Sequence, residues 1–199
     1  MDAEAWDERY RSTDLIWSAG PNQFVEAELS DLPVGRAVDL AAGEGRNAIW
    51  LARQGWQVTA VDFSQVALDK GREIAGDLPV QWVCADATTW RKDASYDVSV
   101  LAYLQLPAAE RRAAHRNAFA ALRPGGTLLV LAHDSTNLAE GVGGPQDPEV
   151  LLTADDVLAD LDGTSYDVVR AERVAREVAQ ADGGSRTAYD ALVRVVRRA

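Results

Sequence analysis

Between Arg36 and Ser64 an apolar extended run, a glycine turn, a helical run and a second extended run ending in Asp62 follow one another without interruption. That order predicts a βαβ unit of an α/β fold, because two parallel strands need a crossover and a helix supplies it. Ala37-Val38-Asp39-Leu40 is the first strand, Ala41-Ala42-Gly43-Glu44-Gly45 the turn, and Arg46-Asn47 opens a helix with apolar positions at Ile49, Leu51 and Ala52. Gly55 closes that helix, since glycine takes the left-handed cap without a Cβ clash. The β-branched run Gln57 to Val61 then stops at Asp62, where a carboxylate can accept both hydroxyls of a ribose. Gly43 and Gly45 let backbone approach a ligand closely, and the amides opening the helix favour polar or anionic groups. The letters leave the cofactor open, because GEGRNA also satisfies the dinucleotide fingerprint when its last position is alanine.

Three further segments extend the pattern. Pro79 to Cys84 reads as a third strand ending at Ala85-Asp86-Ala87, and Tyr96 to Leu101 as a fourth, followed by Ala102-Tyr103 and a helix from Pro107. Leu122-Arg123-Pro124-Gly125-Gly126 turns into a fifth strand, Thr127 to Ala132, which leads to His133-Asp134. With these segments on the page, the chain resembles the class I S-adenosylmethionine-dependent methyltransferases. VDLAAGEGRNA is similar to their first motif, AVDFS to the second-strand acidic motif, CADATTW to the third, YDVSVLAYLQL to the fourth and LRPGGTLLVLAHD to the fifth. Ala41-Ala42 stands where many members have Gly-Cys or Gly-Ser, and alanine is small enough to keep the turn. The WDERY opening and the GEGRN loop resemble the small-molecule branch that includes tellurite-resistance and thiopurine-type enzymes.

The resemblance implies an α/β, doubly wound Rossmann-like methyltransferase fold. Its sheet is seven-stranded and mostly parallel with an antiparallel C-terminal strand, and helices cover both faces. One domain over 1–199 is expected, with N-terminal cap helices in 1–33, a cofactor core in 36–132, a substrate lid in 134–152 and a helix plus hairpin in 153–199. The resemblance also implies S-adenosyl-L-methionine as cofactor and S-adenosyl-L-homocysteine as product. Asp62 would hold the ribose, Phe63 and Ala87 would flank the adenine, and Asp86 would accept from its amino group. Ala41, Gly43, Gly45 and Asp39 would line the methionine end, Arg46 would pair with its carboxylate, and Leu101 to Tyr103 would lie beneath the sulfonium. Tyr10 and Trp17, in the N-terminal segment, are candidate pocket residues. His133, Asp134 and Tyr103 are the catalytic candidates, because the ends of strands four and five face the methyl group in this fold. His133 is favoured because imidazole titrates near working pH. His115, on the arginine-rich face with Arg111, Arg112 and Arg116, reads as a solvated bystander.

Composition narrows the partners. A net charge of −11 argues against broad nucleic-acid or anionic-membrane binding, which demand clustered cations, and so favours a small-molecule substrate. No apolar run reaches the roughly 20 residues of a membrane span, and MDAEAWDERYR is not signal-like, so a cytoplasmic monomer or homodimer is expected. One cysteine and two histidines cannot build a cysteine/histidine zinc cluster, and no metal is expected; Cys84 reads as a small buried strand residue.

Downstream, Ser135 to Leu152 is rich in Gly, Pro, Asn and Asp, and Thr153 caps a helix through Leu161 with Asp155 and Asp156 in its first turn. Tyr166 to Val178 and Arg186 to Val196 flank Asp182-Gly183-Gly184-Ser185, a hairpin signal, although Val168, Ala171, Ala175 and Val178 also fit a helical face. The resemblance favours the hairpin. Two other classes remain: a nicotinamide-dependent oxidoreductase, for which neither Lys70 nor Lys92 has a tyrosine at short helical spacing before it, and a non-catalytic cofactor-binding module.

Overall fold

The computed structural model describes residues 3–12, 20–180 and 183–199. In chain order the elements are α1 (Ala3–Arg11), α2 (Gln23–Leu29), β1 (Arg36–Leu40), α3 (Arg46–Arg53), β2 (Gln57–Asp62), α4 (Gln65–Ala75), β3 (Val80–Cys84) and β4 (Tyr96–Ala102). Then come α5 (Ala108–Ala120), β5 (Leu122–His133), α6 (Asn137–Glu140), a 3-10 turn (Pro148–Val150), α7 (Ala154–Asp160), β6 (Tyr166–Ala179) and β7 (Ser185–Arg197).

All seven strands form one sheet in the order β3-β2-β1-β4-β5-β7-β6. The first five pair in parallel, while β7 runs antiparallel to both β5 and β6. The expected hairpin forms, and its second strand is the one inserted beside β5. Covered on both faces, the central strands carry near-continuous apolar runs, as parallel strands must. Val38, Leu40, Leu128 and Val130 pack under α5 and α7, whereas Ala37, Val58, Leu129 and Leu131 pack under α2 and α3. Helix ends follow their sequence signals. Asn22 caps α2 by accepting from the Phe24 and Val25 amides, Gly55 takes φ +96 just beyond α3, and Thr153 with Asp156 forms a reciprocal capping box on α7.

Three expectations need correction. The fifth strand begins at Leu122 rather than Thr127, because Arg123 to Gly126 bulge out of the ladder as its register steps from Tyr96↔Leu122 to Val98↔Thr127. Pro124 has no N–H to donate and Gly125 takes φ +81, so the bulge absorbs both. Cys84 is exposed rather than buried, since it ends β3, an edge strand. His115 is not solvated: it is buried between α5 and α7, with Nδ1 3.0 Å from Asp160 Oδ2.

Candidate functional site

The carboxyl ends of β1, β2, β4 and β5 form the edge at which α/β sheets bind ligands. At the end of β1 the turn passes through three left-handed residues, Ala41 (φ +58), Gly43 (φ +56) and Gly45 (φ +76). Gly45 is required by packing: a Cβ there would sit 2.4 Å from the Trp82 ring, which reaches over from β3 and also presses on Gly71. Glu44, buried in the same turn, lies 3.7 Å from Lys70 Nζ, and Lys70 also donates to the Tyr10 carbonyl. One lysine thus ties the loop to α4 and to α1, while Ser64 donates to Asp7 of α1. Ala41 bears left-handed strain that glycine would not. Ala41→Gly is therefore expected to leave the fold intact and raise stability by up to about 1 kcal/mol, measured as a higher urea midpoint; a fall would mean that the Ala41 methyl contributes more by packing than its strain costs.

Two buried carboxylates face this turn. Asp62 accepts from the Gly43 amide (2.8 Å) and from the Ser64 amide (2.9 Å), which leaves lone pairs on both oxygens. Burial raises its pKa, the Ser64 and Gly43 amides lower it and the nearby Asp7 charge raises it; the balance is upward. Asp39 is 1% exposed and accepts from the Ala48 amide at 3.1 Å. Burial pushes its pKa up to about 7, against the lowering effects of that amide and of Arg46 and with a further rise from Asp62. Arg46, at the first turn of α3, is shifted down by burial. A buried acid beside a half-buried guanidinium suits a ligand carrying both an ammonium and a carboxylate, and Asp62 suits a diol. These groups fit the amino-acid and ribose ends of S-adenosylmethionine. Phe63 follows Asp62 and is half-buried, Asp86 is exposed with Oδ1 accepting from Thr88, and Ala87 is buried with its carbonyl held by Asn117 of α5. Leu101 lies in the core beneath this edge. Tyr10 is buried and stacks on Trp6, and Trp17 lies outside the described residues.

Past β4 the chain turns at Tyr103, a non-glycine residue at φ +60. The Tyr103 hydroxyl donates to Asp190 Oδ2 (2.8 Å) and accepts from Asn22 Nδ2 (3.1 Å), so both of its roles are taken. Burial and then the Asp190 charge raise its pKa far above the usual phenol range, so it stays protonated at neutral pH. Arg176 of β6 also binds Asp190 Oδ2, through Nε at 2.6 Å. The His133 ring lies 4.9 Å from the Tyr103 ring, while Asp134 Oδ1 caps the next turn by accepting from the Thr136 amide and hydroxyl. Segment 134–152 is ordered around Asn137, whose amide nitrogen donates to the Gly143 carbonyl and whose oxygen accepts from the Tyr189 amide. The structure thus gathers Tyr103 and His133 at one point and turns Asp134 to a capping role. Sequence reasoning missed Asp190, Arg176, Asn22 and Trp82. For Asp190 the signal that could have found it is register, because it stands directly opposite His133 across β5 and β7.

Comparison with known proteins agrees with this geometry. Residues 37–126 match the family model described as a methyltransferase domain. A demethylmenaquinone methyltransferase from Clavibacter sepedonicus is 35% identical over 127 residues, covering 61% of this chain and 52% of the relative, so the chain spans about half of that protein's length. Thiocyanate methyltransferase 1 from Brassica oleracea is 28% identical over 168 residues, 79% of this chain and 73% of the relative. In fold, the N-methyltransferase NodS from Bradyrhizobium japonicum, solved with S-adenosyl-L-homocysteine, superposes with a TM-score of 0.75 at 19% identity and covers 99% of both chains. Residues 37–126 of this chain are thus similar to a methyltransferase domain, carried on a sheet with the fold of NodS.

Proposed function

We propose that the protein transfers a methyl group from S-adenosylmethionine to a small-molecule acceptor, in line and without a metal. The observation that carries this reading is the set of buried Asp39 and Asp62 with the half-buried Arg46 around the left-handed turn, on a sheet whose β7 lies antiparallel between β5 and β6. A nicotinamide-binding Rossmann sheet is instead mostly parallel in the order 3-2-1-4-5-6, with a sixth strand rather than an inserted antiparallel seventh beside the fifth. The cofactor supplies a methyl carbon already activated on a sulfonium, so the chain's work is to bind, orient and exclude water. Asp62 accepts from the ribose hydroxyls, Asp39 holds the ammonium, Arg46 holds the carboxylate, and Phe63, Asp86 and Ala87 frame the adenine. The acceptor approaches between Tyr103 and His133, with 134–152 as the lid. The demethylmenaquinone and thiocyanate enzymes to which the chain is similar support a small acceptor, and the acidic charge of the chain supports an enzyme, in our reading cytoplasmic, that docks on neither nucleic acid nor anionic membrane.

Titration calorimetry with S-adenosylhomocysteine, with NADH and NADPH in parallel, tests the reading. Binding of S-adenosylhomocysteine alone supports it, and binding of a nicotinamide alone overturns it. Asp62→Ala is expected to weaken that binding by about 1.5–3 kcal/mol, roughly 10- to 150-fold, through loss of charge-assisted hydrogen bonds. Unchanged affinity would remove Asp62 from the ribose site.

A further inference from the structure

Asp190 is a carboxylate with no solvent exposure, beside Tyr103 and His133, and the cofactor assignment above gives it no role. His133 is its direct cross-strand partner, so both side chains leave the same face of the sheet. His133 Nδ1 lies 3.3 Å from Asp190 Oδ1, and both atoms are buried without a formed hydrogen bond, two complementary groups facing one another. The other oxygen, Oδ2, is fixed by Tyr103 and Arg176. Gly144 backs the imidazole: a Cβ there would stand 2.9 Å from Cγ and 3.0 Å from Cδ2 and Nδ1. Gly144 thus packs against the ring at its Cγ end and leaves Nδ1 to Asp190, while Nε2 takes no hydrogen bond from the described residues.

We propose that Asp190 is a positioning residue that holds His133 as the Nδ1–H tautomer, so that the Nε2 lone pair removes a proton from the acceptor. The acceptor is accordingly a protic nucleophile, such as a phenol- or enol-type hydroxyl, rather than an anion with a ready lone pair. This rests on the methyltransferase reading. In the step, the acceptor O–H bond breaks and its proton passes to Nε2; the oxygen pair bonds the methyl carbon as the carbon–sulfur bond breaks and its electrons stay on sulfur. The imidazolium then returns its proton to water.

The test reads the two imidazoles of the ¹⁵N-labelled protein by long-range ¹H–¹⁵N correlation, with His133→Gln giving the assignment. Wild type is expected to show His133 protonated at Nδ1. In Asp190→Asn, two donors address the Oδ2 position, so the amide oxygen takes that place and the amide NH₂ turns to His133; the tautomer is expected to switch to Nε2–H. A role for Asp190 confined to anchoring Arg176 and Tyr103 would leave the imidazole unmoved. A wild-type Nε2–H tautomer overturns the proposal with no variant needed, whatever the folding of Asp190→Asn. In turnover, catechol is expected to be methylated, and His133→Gln to slow it about 100-fold or more with S-adenosylhomocysteine affinity unchanged. Methylation of thiocyanate at a rate unaffected by His133→Gln overturns the proposal. Absence of S-adenosylhomocysteine binding would instead sink the cofactor reading and leave the tautomer result standing.

Discussion

Asp160→Ala is expected to cost about 3–5 kcal/mol of stability, because it strips the counter-charge from a buried cation. Asp160 is fully buried on α7 and accepts from Arg111 Nε at 2.7 Å and Arg112 Nε at 3.3 Å, with His115 Nδ1 at 3.0 Å; all three donors stand on α5. Arg116 adds a bond to the Asp160 carbonyl at 2.9 Å. Burial alone would raise the Asp160 pKa, but hydrogen bonds from His115 and Arg111, and then their charges, hold it well below the usual carboxylate range. The sign follows: a depressed folded pKa contributes stability that is fully present above the unfolded value near 4 and is lost as pH falls below it. Urea unfolding at pH 7 should therefore show the loss in full, and the gap between wild type and variant should close below pH 4. A loss under 1 kcal/mol would mean that water reaches the cluster and already screens it.

Asp39→Asn is expected to act in the opposite direction on stability. The folded pKa of Asp39, pushed up to about 7, lies above its unfolded value near 4, so the fold binds the proton more tightly than the unfolded chain does. Wild-type stability should fall as pH rises from about 4 to 7 and level off above. Three pKa units at 1.36 kcal/mol each set the cost near 4 kcal/mol. Asparagine carries no charge to desolvate and still accepts from the Ala48 amide, so the variant should unfold several kcal/mol later than wild type at pH 8 and about equally at pH 4. Binding should show the reverse. A ligand ammonium supplies the counter-charge that the buried acid lacks, so S-adenosylhomocysteine should stabilise wild type strongly and the variant little. Thermal unfolding at pH 8, with and without the ligand, measures both. Equal ligand-induced shifts would separate Asp39 from the ammonium.

The geometry of the glycine turn and of Asp62 was legible because its determinants are local. The turn from Leu40 to Arg46, the aspartate ending β2 and the helix after it lie within one βαβ unit, where spacing specifies geometry. The acceptor half was not, because its determinants are long-range. Asp190 meets His133 only through the β5–β7 register, and nothing local sets that register, because α6, α7 and β6 all lie between the two strands in sequence. Asn22 reaches Tyr103 from α2 across 81 positions. His115 was misread for a related reason. An arginine-rich helix face looks solvated until a facing carboxylate, Asp160, turns it inward. The Trp82–Gly45 contact was hidden too, since a glycine in a binding motif invites a ligand explanation when a ring from a distant strand occupies the space.

The placement of β7 carries a consequence for how the protein comes into being. This strand follows every other strand in sequence yet lies between β5 and β6 in the sheet, so during synthesis the ladder cannot close along β5 until the residues of β7 have been made. The strands β1, β2 and β4, whose ends carry the glycine turn, Asp62 and Tyr103, are all made before β5 begins. The buried carboxylate beside His133 is therefore the last part of the candidate site to leave the ribosome, and the acceptor end of the sheet is the last to be assembled.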